Sequence, residues 1–300
     1  MGVLPGESQM AIALVRSRKE GRPLLRHCAV HSVTDGTANN ALVSLMRDRA
    51  LARSPVSGVV QTEDYQLVQV EAPEVQPAEM RAAVRWRLRD AINFDIEDAV
   101  FDVFETPDPP RRTHRMMFAV AARNAAVQRV SGSIAPYVRG FDVIDIPEMC
   151  QRNLSALLPQ DRKGVALLTL ADSFAQLVLT REGVLYLTRR IDMARSYDAT
   201  GFADLPSAGI DVSSVALELQ RSLDYYESHY DQTPVTQLVI APGDDRAVRL
   251  AEALRKETSL QISLLDIAEL FEIAPGVSPD LDWPCLMALG AALRTDRAKA

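Results

Sequence analysis

Residues 164–188, GVALLTLADSFAQLVLTREGVLYLT, come nearest in this chain to a phosphate-handling arrangement. Three short apolar runs, Val165 to Leu170, Gln176 to Thr180 and Val184 to Thr188, read as a three-strand meander, with Arg181-Glu182-Gly183 as its second turn. In one large group of nucleotide-binding folds the first turn of such a meander cradles phosphate with Asp, Gly and a hydroxyl. Backbone N–H groups must come within hydrogen-bonding reach of the anion, which glycine permits and a Cβ often blocks. Here that turn is Leu170-Ala171-Asp172-Ser173-Phe174, with no glycine and with an aromatic side chain in it. Asp172 would repel an anion. Ser173 has no glycine elbow and no evident base, so a nucleophilic serine is not predicted.

The other reactive residue types point to structure. Asp95, Glu97 and Asp98 lack a nearby His or Cys to complete a metal site and read as a solvated acidic loop. His27 and His31 fall on one face of a strand-like stretch but at some distance along it, which predicts no metal pair. Arg81, Arg85 and Arg89 recur one helical turn apart, diluted by Glu79 and Asp90, and read as a solvated helix face. Tyr225, Tyr226 and Tyr230 are expected to anchor a helix to a sheet. Cys28, Cys150 and Cys285 are few and scattered, as small buried hydrophobes in a reducing cytosol would be.

Composition narrows the class. With 300 residues, 47% apolar and 24% charged, two packed domains or one bilobal one are expected. A net charge of -7 gives no support to nucleic-acid binding. The longest uncharged apolar run, Trp283 to Leu293, is short of the ~20 residues a membrane span needs. The opening MGVLPGESQM lacks a basic segment followed by an apolar core, so no secretory signal is expected.

The elements that would position these residues are readable from periodicity. Met10 to Arg16 and Leu24 to Val30 read as a hairpin around Lys19-Glu20-Gly21, and Thr37 to Ala52 as a helix with Thr37 as a possible N-cap. SGVVQT and YQLVQVEA read as strands. Pro77 suits the first position of a helix running to about Asn93. AVFDVFET and MMFAVAA read as paired strands joined by the basic, proline-rich Pro107 to Arg115. Helices from Asn124, from Pro147 to Leu158, from Ser213 to about Tyr230, and from Asp244 to Thr258 alternate with the strands VIDI, TQLVIAP and LQISLLD, and a last helix spans Pro284 to Arg294. Each half thus runs meander, helix, strand, helix, strand, with a polar break at Gln160 to Gly164. This predicts a duplicated α/β architecture, the first half carrying an extra βα insert at about Pro77 to Gly140.

Two segments, EDYQLVQVEAPEVQPAEMRAAVRWRLRDAINFDIEDAVFDVFETP and ALELQRSLDYYES, resemble the PilM/MshI proteins, cytosolic actin-like parts of the inner-membrane platform that assembles type IV pili, the mannose-sensitive haemagglutinin pilus among them. The likeness extends in pattern from about Met10 to Arg294. It implies an α/β, duplicated actin/FtsA-like two-lobed fold with an inserted βα subdomain. Residues 1–76 and 141–160 would form the first lobe, 77–140 the insert, 161–284 the second lobe, and 285–300 a C-terminal helix returning to the first lobe.

The resemblance also implies where nucleotide chemistry would sit, and the matching residues depart from it. The first phosphate loop's Asp, Gly and Lys fall on Gly6, Ser8 and Ala13. The second loop falls on Thr169 to Ala175, where Thr169, Ala171 and Ala175 replace its Asp, Gly and Thr. The adenosine motif falls on Ala241 to Asp244 and keeps only Gly243. No cofactor is therefore expected, the alternative being ATP with Mg, its nucleotide state regulating the platform. A sugar-kinase-like enzyme would need an Asp where Thr169 stands. The expected role is a non-enzymatic scaffold, cytoplasmic and held at the inner membrane through partners. It would bind the cytosolic tail of a PilN-like membrane protein, and other platform proteins, with no nucleic acid. The resemblance implies a groove between the first lobe and the insert, with Trp86, Phe94, Phe101 and Val103 on the insert side.

Overall fold

The computed structural model describes residues 1–18, 20–47, 55–107, 115–193 and 211–294. The basic connection at 108–114, most of the segment that follows the second-lobe meander, and Lys19 lie outside those residues. In chain order the elements are β1 (Gly2–Pro5), β2 (Gln9–Arg16), β3 (Leu24–Ser32), α1 (Thr37–Arg47), β4 (Val56–Val59), β5 (Tyr65–Glu71), α2 (Pro77–Arg89), β6 (Ala99–Glu105), β7 (Met116–Arg123), α3 (Asn124–Ile134), β8 (Phe141–Asp145) and α4 (Pro147–Ser155). There follow β9 (Val165–Leu170), β10 (Phe174–Arg181), β11 (Val184–Asp192), α5 (Val212–Tyr230), β12 (Gln237–Ala241), α6 (Asp245–Glu257), β13 (Gln261–Leu264), α7 (Ile267–Leu270), β14 (Glu272–Ile273) and α8 (Trp283–Ala292).

Two sheets repeat one pattern. The first runs β14-β3-β2-β1-β4-β8 and the second β11-β10-β9-β12-β13. In each, a meander pairs antiparallel, and the strand that opens it takes a parallel neighbour on its other side, which takes one more. The central strand β9, VALLTL, is buried at all six positions, as a strand covered on both faces must be, and its sequence is correspondingly a continuous apolar run. The helix α5 begins where Asp211 accepts from the Ser214 backbone N–H. It buries Val215, Leu219, Leu223, Tyr226 and Tyr230 along one stripe, and ends at Asp231 in a left-handed conformation.

Two helices lie between the sheets. The helix α8 is apolar around its whole circumference, with Cys285 to Ala291 all buried, the composition a helix has when it is covered on every side. It packs on β1, β2, β3 and β4 and crosses α4. At the crossing Gly290 touches the α4 backbone: a Cβ there would lie 2.1 Å from the Cys150 carbonyl oxygen. One apolar cluster runs from Leu4, Ala11 and Ala13 of the first sheet through α4 and α8 to Val165, Leu167 and Val178 of the second.

The insert differs in extent from the expected 77–140. The strand β5 belongs to it, pairing with β7 over Tyr65 to Glu71 in a third sheet ordered β5-β7-β6. The helix α3 belongs to the first lobe, where Val130 and Ile134 pack with Val3, Met10 and Ile12. Strand pairing joins residues far apart in sequence, so it overrides a boundary read from a proline. A second difference is β14, which lies in the second-lobe stretch of sequence but pairs with β3 of the first sheet. Thr37 opens α1 as its first residue, and its backbone N–H is accepted by Asp35.

Candidate functional site

The cleft between the lobes is where a nucleotide would be sought. On the first-lobe side, the turn joining β1 and β2 is a closed hairpin: Gly6 N–H donates to the Gln9 carbonyl at 2.8 Å, and Gln61 Nε2 caps the Pro5 carbonyl at 2.7 Å. Glu7 at its tip is exposed and brings a carboxylate. Ala13, at the position of the lysine, is fully buried on β2 in the cluster around α8, where a lysine ammonium would be desolvated without a partner.

On the second-lobe side, Ala171 N–H donates to the Phe174 carbonyl at 2.9 Å, closing the turn on itself so that this N–H is spent within the chain. Thr169 is fully buried, with its hydroxyl unpartnered. Ala175 lies on the opposite face of β10, packed with Leu177 and Leu179 toward α5. Gly243 follows β12, where a Cβ would meet nothing nearer than the Leu265 carbonyl oxygen at 3.5 Å. No close approach therefore requires a glycine there.

Beside Gly243 lies a cavity of about 670 Å³, walled by Leu264, Leu265, Ile267, Ile273 and Leu281. Its polar rim is Asp244, Asp266, Asp282 and Arg246. Each of the three carboxylates caps a helix: Asp244 accepts from Ala247 N–H, Asp266 from Ala268 N–H, and Asp282 from Cys285 N–H. The start of a helix is a ready anion site, and here each one facing the cavity already holds a carboxylate of the chain. Arg246 is likewise engaged, with Asp244 at 3.0 Å, Asp172 at 3.6 Å and the Ala171 carbonyl at 3.4 Å. The rim thus carries more negative than positive charge and few free donors, the reverse of what a triphosphate needs.

Beneath the cleft, Tyr65 of β5 donates to Glu148 of α4 at 2.5 Å, both buried. Burial pushes the Glu148 carboxyl up, against the opposing pull of that hydrogen bond, and burial likewise raises Asp145 against the pull of Arg294. The first pair ties the insert to α4, and the second ties Arg294, just past α8, to the end of β8.

Of the four residues expected on the insert side of a groove, three share one cluster and Trp86 stands apart. Phe101 and Val103 lie on the face of the third sheet that α2 covers, packed with Val84 and Leu88. Arg81 sits 5.2 Å over the Phe101 ring. Phe94 is half-buried against the same cluster with Arg123 4.6 Å over its ring. Trp86, 71% exposed, points away from that core on the outer side of α2, with Arg89 5.9 Å from its ring. Alternate residues of a strand face opposite sides, and sequence could not tell which side α2 would take. The other side faces the first lobe. There Leu67, Phe104 and Val120 are half-buried against Val127 of α3 and Met149 of α4. Val100, on the same side of β6 as Phe104, is 40% exposed. The signal for these residues was the alternation within AVFDVFE and MMFAVAAR.

The remaining candidates are structural. Arg81 donates to the Phe101 carbonyl and Arg85 pairs with Glu97 at 2.6 Å. Asp95 caps a short turn at Glu97, and among the described residues no three His, Cys, Asp or Glu are placed to hold a metal. Tyr226 and Tyr230 meet Tyr186 edge-on, and Tyr230 donates to its carbonyl. All three cysteines are buried and free. His27 and His31 are not apart as expected. Their rings lie edge to edge, planes within 10°, with Nε2 atoms 2.9 Å apart. The two Nε2 atoms share a hydrogen bond and leave no room for a cation between them, since each metal–nitrogen bond alone takes about 2.0 Å.

No family model matches the chain and no curated protein matches it. Among solved structures, the chain is similar to a PilM-PilN type IV pilus biogenesis complex, with a TM-score of 0.66 and 17% identity over 97% of this chain and 95% of that one. It is also similar to the cytoplasmic domain of EpsL, an inner membrane component of the type II secretion system of Vibrio cholerae, with a TM-score of 0.48 and 14% identity over 98% and 95%. A third is component A of the (R)-2-hydroxyglutaryl-CoA dehydratase of Acidaminococcus fermentans, with a TM-score of 0.45 and 10% identity over 97% and 95%. The fold is the duplicated, two-lobed actin-like fold with an inserted subdomain.

Proposed function

We propose that this chain is a non-enzymatic scaffold on the cytosolic face of a type IV pilus or related secretion platform. It takes the cytosolic tail of a PilN-like inner-membrane protein in the seam between the insert sheet and the first lobe. The observation that carries the reading is the apolar, partly open face formed by Leu67, Val100, Phe104 and Val120 opposite Val127 and Met149. An extended apolar segment meeting such pockets is an ordinary mode of peptide recognition. The likeness of fold to a PilM bound in a PilM-PilN complex supports the choice of partner. No helix among the described residues is long and apolar enough to cross a membrane, and membrane attachment through the partner is part of the proposal.

The test is titration of the cytosolic tail of the PilN-like protein from the same organism, read by calorimetry. Phe104→Ala and Val100→Asp are expected to weaken binding at least tenfold, about 1.4 kcal/mol, while Trp86→Ala leaves it unchanged. Parent-like binding by both folded seam variants would move the site elsewhere. In the same instrument millimolar Mg-ATP is expected to give no saturable heat. A dissociation constant below about 100 μM would favour the nucleotide-regulated alternative, for which the cavity beside Gly243 would be the place.

A further inference from the structure

The turn between β9 and β10 exposes Asp172 and Ser173 but buries the next residue, Phe174, to 6%. The strand dictates where that ring goes. Phe174, Gln176 and Val178 leave β10 on one face, and Val178 belongs to the cluster shared with α4, α8 and the first sheet. The Phe174 ring meets Trp283 edge-on, centroids 5.0 Å apart and planes at 74°. Trp283 opens α8, which packs on the first sheet, and is held there by the Asp282 cap before it and the apolar cluster behind it. Arg190 of β11 lies 4.0 Å from the Phe174 ring centre, and its Nε is oriented by Asp192 at 3.1 Å. Cation, phenyl ring and indole thus follow one another from the second lobe onto the helix that closes the first.

The far end of the cleft is tied as well. Glu272 N–H donates to the Pro23 carbonyl and Ala274 N–H to the Leu25 carbonyl, each at 2.9 Å, adding β14 to the first sheet. Arg18 pairs with Glu272, and Arg22 donates to the Ala268 carbonyl.

We infer that the chain holds its own interlobe cleft shut, with Phe174 and Trp283 forming an aromatic latch at the turn that would otherwise receive phosphate. A ligand closes a cleft only through its differential affinity for the closed state. Here protein groups make contacts that exist only when the lobes meet, and an edge-on aromatic pair with a stacked guanidinium is favourable beyond the area it buries. The closed arrangement is then the resting one, and the seam proposed for the tail is presented without nucleotide. The latch rests on the reading of the cleft as free of nucleotide and does not depend on the partner.

The test is an interlobe distance measured by pulsed electron resonance on the full chain, with spin labels at Glu7→Cys and Glu252→Cys. Both positions are exposed and the native cysteines are buried. The parent is expected to give one narrow distribution, unchanged by millimolar Mg-ATP. Phe174→Ala should broaden it toward longer distances, and Phe174→Leu and Trp283→Leu, which keep apolar bulk, should do so in part. Folded Phe174→Leu and Trp283→Leu chains that both superimpose on the parent would overturn the latch even if Phe174→Ala fails to fold. A broad parent distribution that narrows with Mg-ATP would overturn the nucleotide-free reading and the latch together.

Discussion

At the scale of single residues, the His27–His31 pair makes a pH-dependent contribution whose sign follows from its geometry. One proton lies between the two Nε2 atoms, so one ring donates and the other must keep its lone pair. Charging both rings breaks the bond. Burial lowers both pKa values from 6.5, and for His27 the neighbouring His31 adds to it, while Asp280 on the adjoining segment partly opposes. A histidine whose folded pKa is depressed binds fewer protons in the native state. Its stabilisation is present above the unfolded value of 6.5 and is lost as pH falls below it. Urea denaturation from pH 8 to pH 5 should show a falling midpoint in the parent and a flatter profile in His31→Gln. Identical profiles would mean that the pair does not titrate in this range.

At the scale of elements, the α4–α8 crossing is the most demanding contact between the two lobes. Cys150 and Gly290 approach backbone to backbone, and a methyl group at Gly290 would sit 2.1 Å from a carbonyl oxygen that belongs to a helix and cannot swing aside. Gly290→Ala should cost about 3 kcal/mol, the upper end of the usual overpacking range. It should lower the denaturation midpoint well beyond Gly132→Ala, where a Cβ meets open space. The helix α3 supplies that contrast on the surface: with open space for the methyl, Gly132→Ala should be neutral or slightly stabilising, since Ala favours the helix over Gly, and an equal loss at both glycines would show that the crossing does not govern the response.

At the scale of the whole molecule, the last described residue meets the middle of the chain. Arg294, just past α8, pairs at 2.8 Å with Asp145 at the end of β8, whose side chain is 4% exposed. Burial raises the Asp145 carboxyl and Arg294 is the chief opposing influence. Removing one partner leaves a buried charge without compensation, typically a loss of about 3–5 kcal/mol. Arg294→Ala should therefore reduce stability in this range at pH 8, and by less at pH 4.5, where more of the Asp145 carboxyl is protonated. A loss independent of pH would point to packing of the arginine stem instead.

The alternation and helical spacing in the chain determined the duplicated architecture, because a strand buried on both faces needs a run such as VALLTL and a helix enclosed between sheets needs one such as that after Trp283. That the β9–β10 turn holds no glycine was equally plain, each of its residues placing a Cβ there. Tertiary structure alone decided which face of β6 α2 would cover. Phe101 and Phe104 alternate on one strand, and nothing local distinguishes the covered side from the one turned to the first lobe. It also decided that β5 joins the insert, that the rings of two histidines four residues apart meet, and that Phe174 meets Trp283. Each is a contact between segments whose own sequences are compatible with several partners, and only the packing of the complete chain selects one.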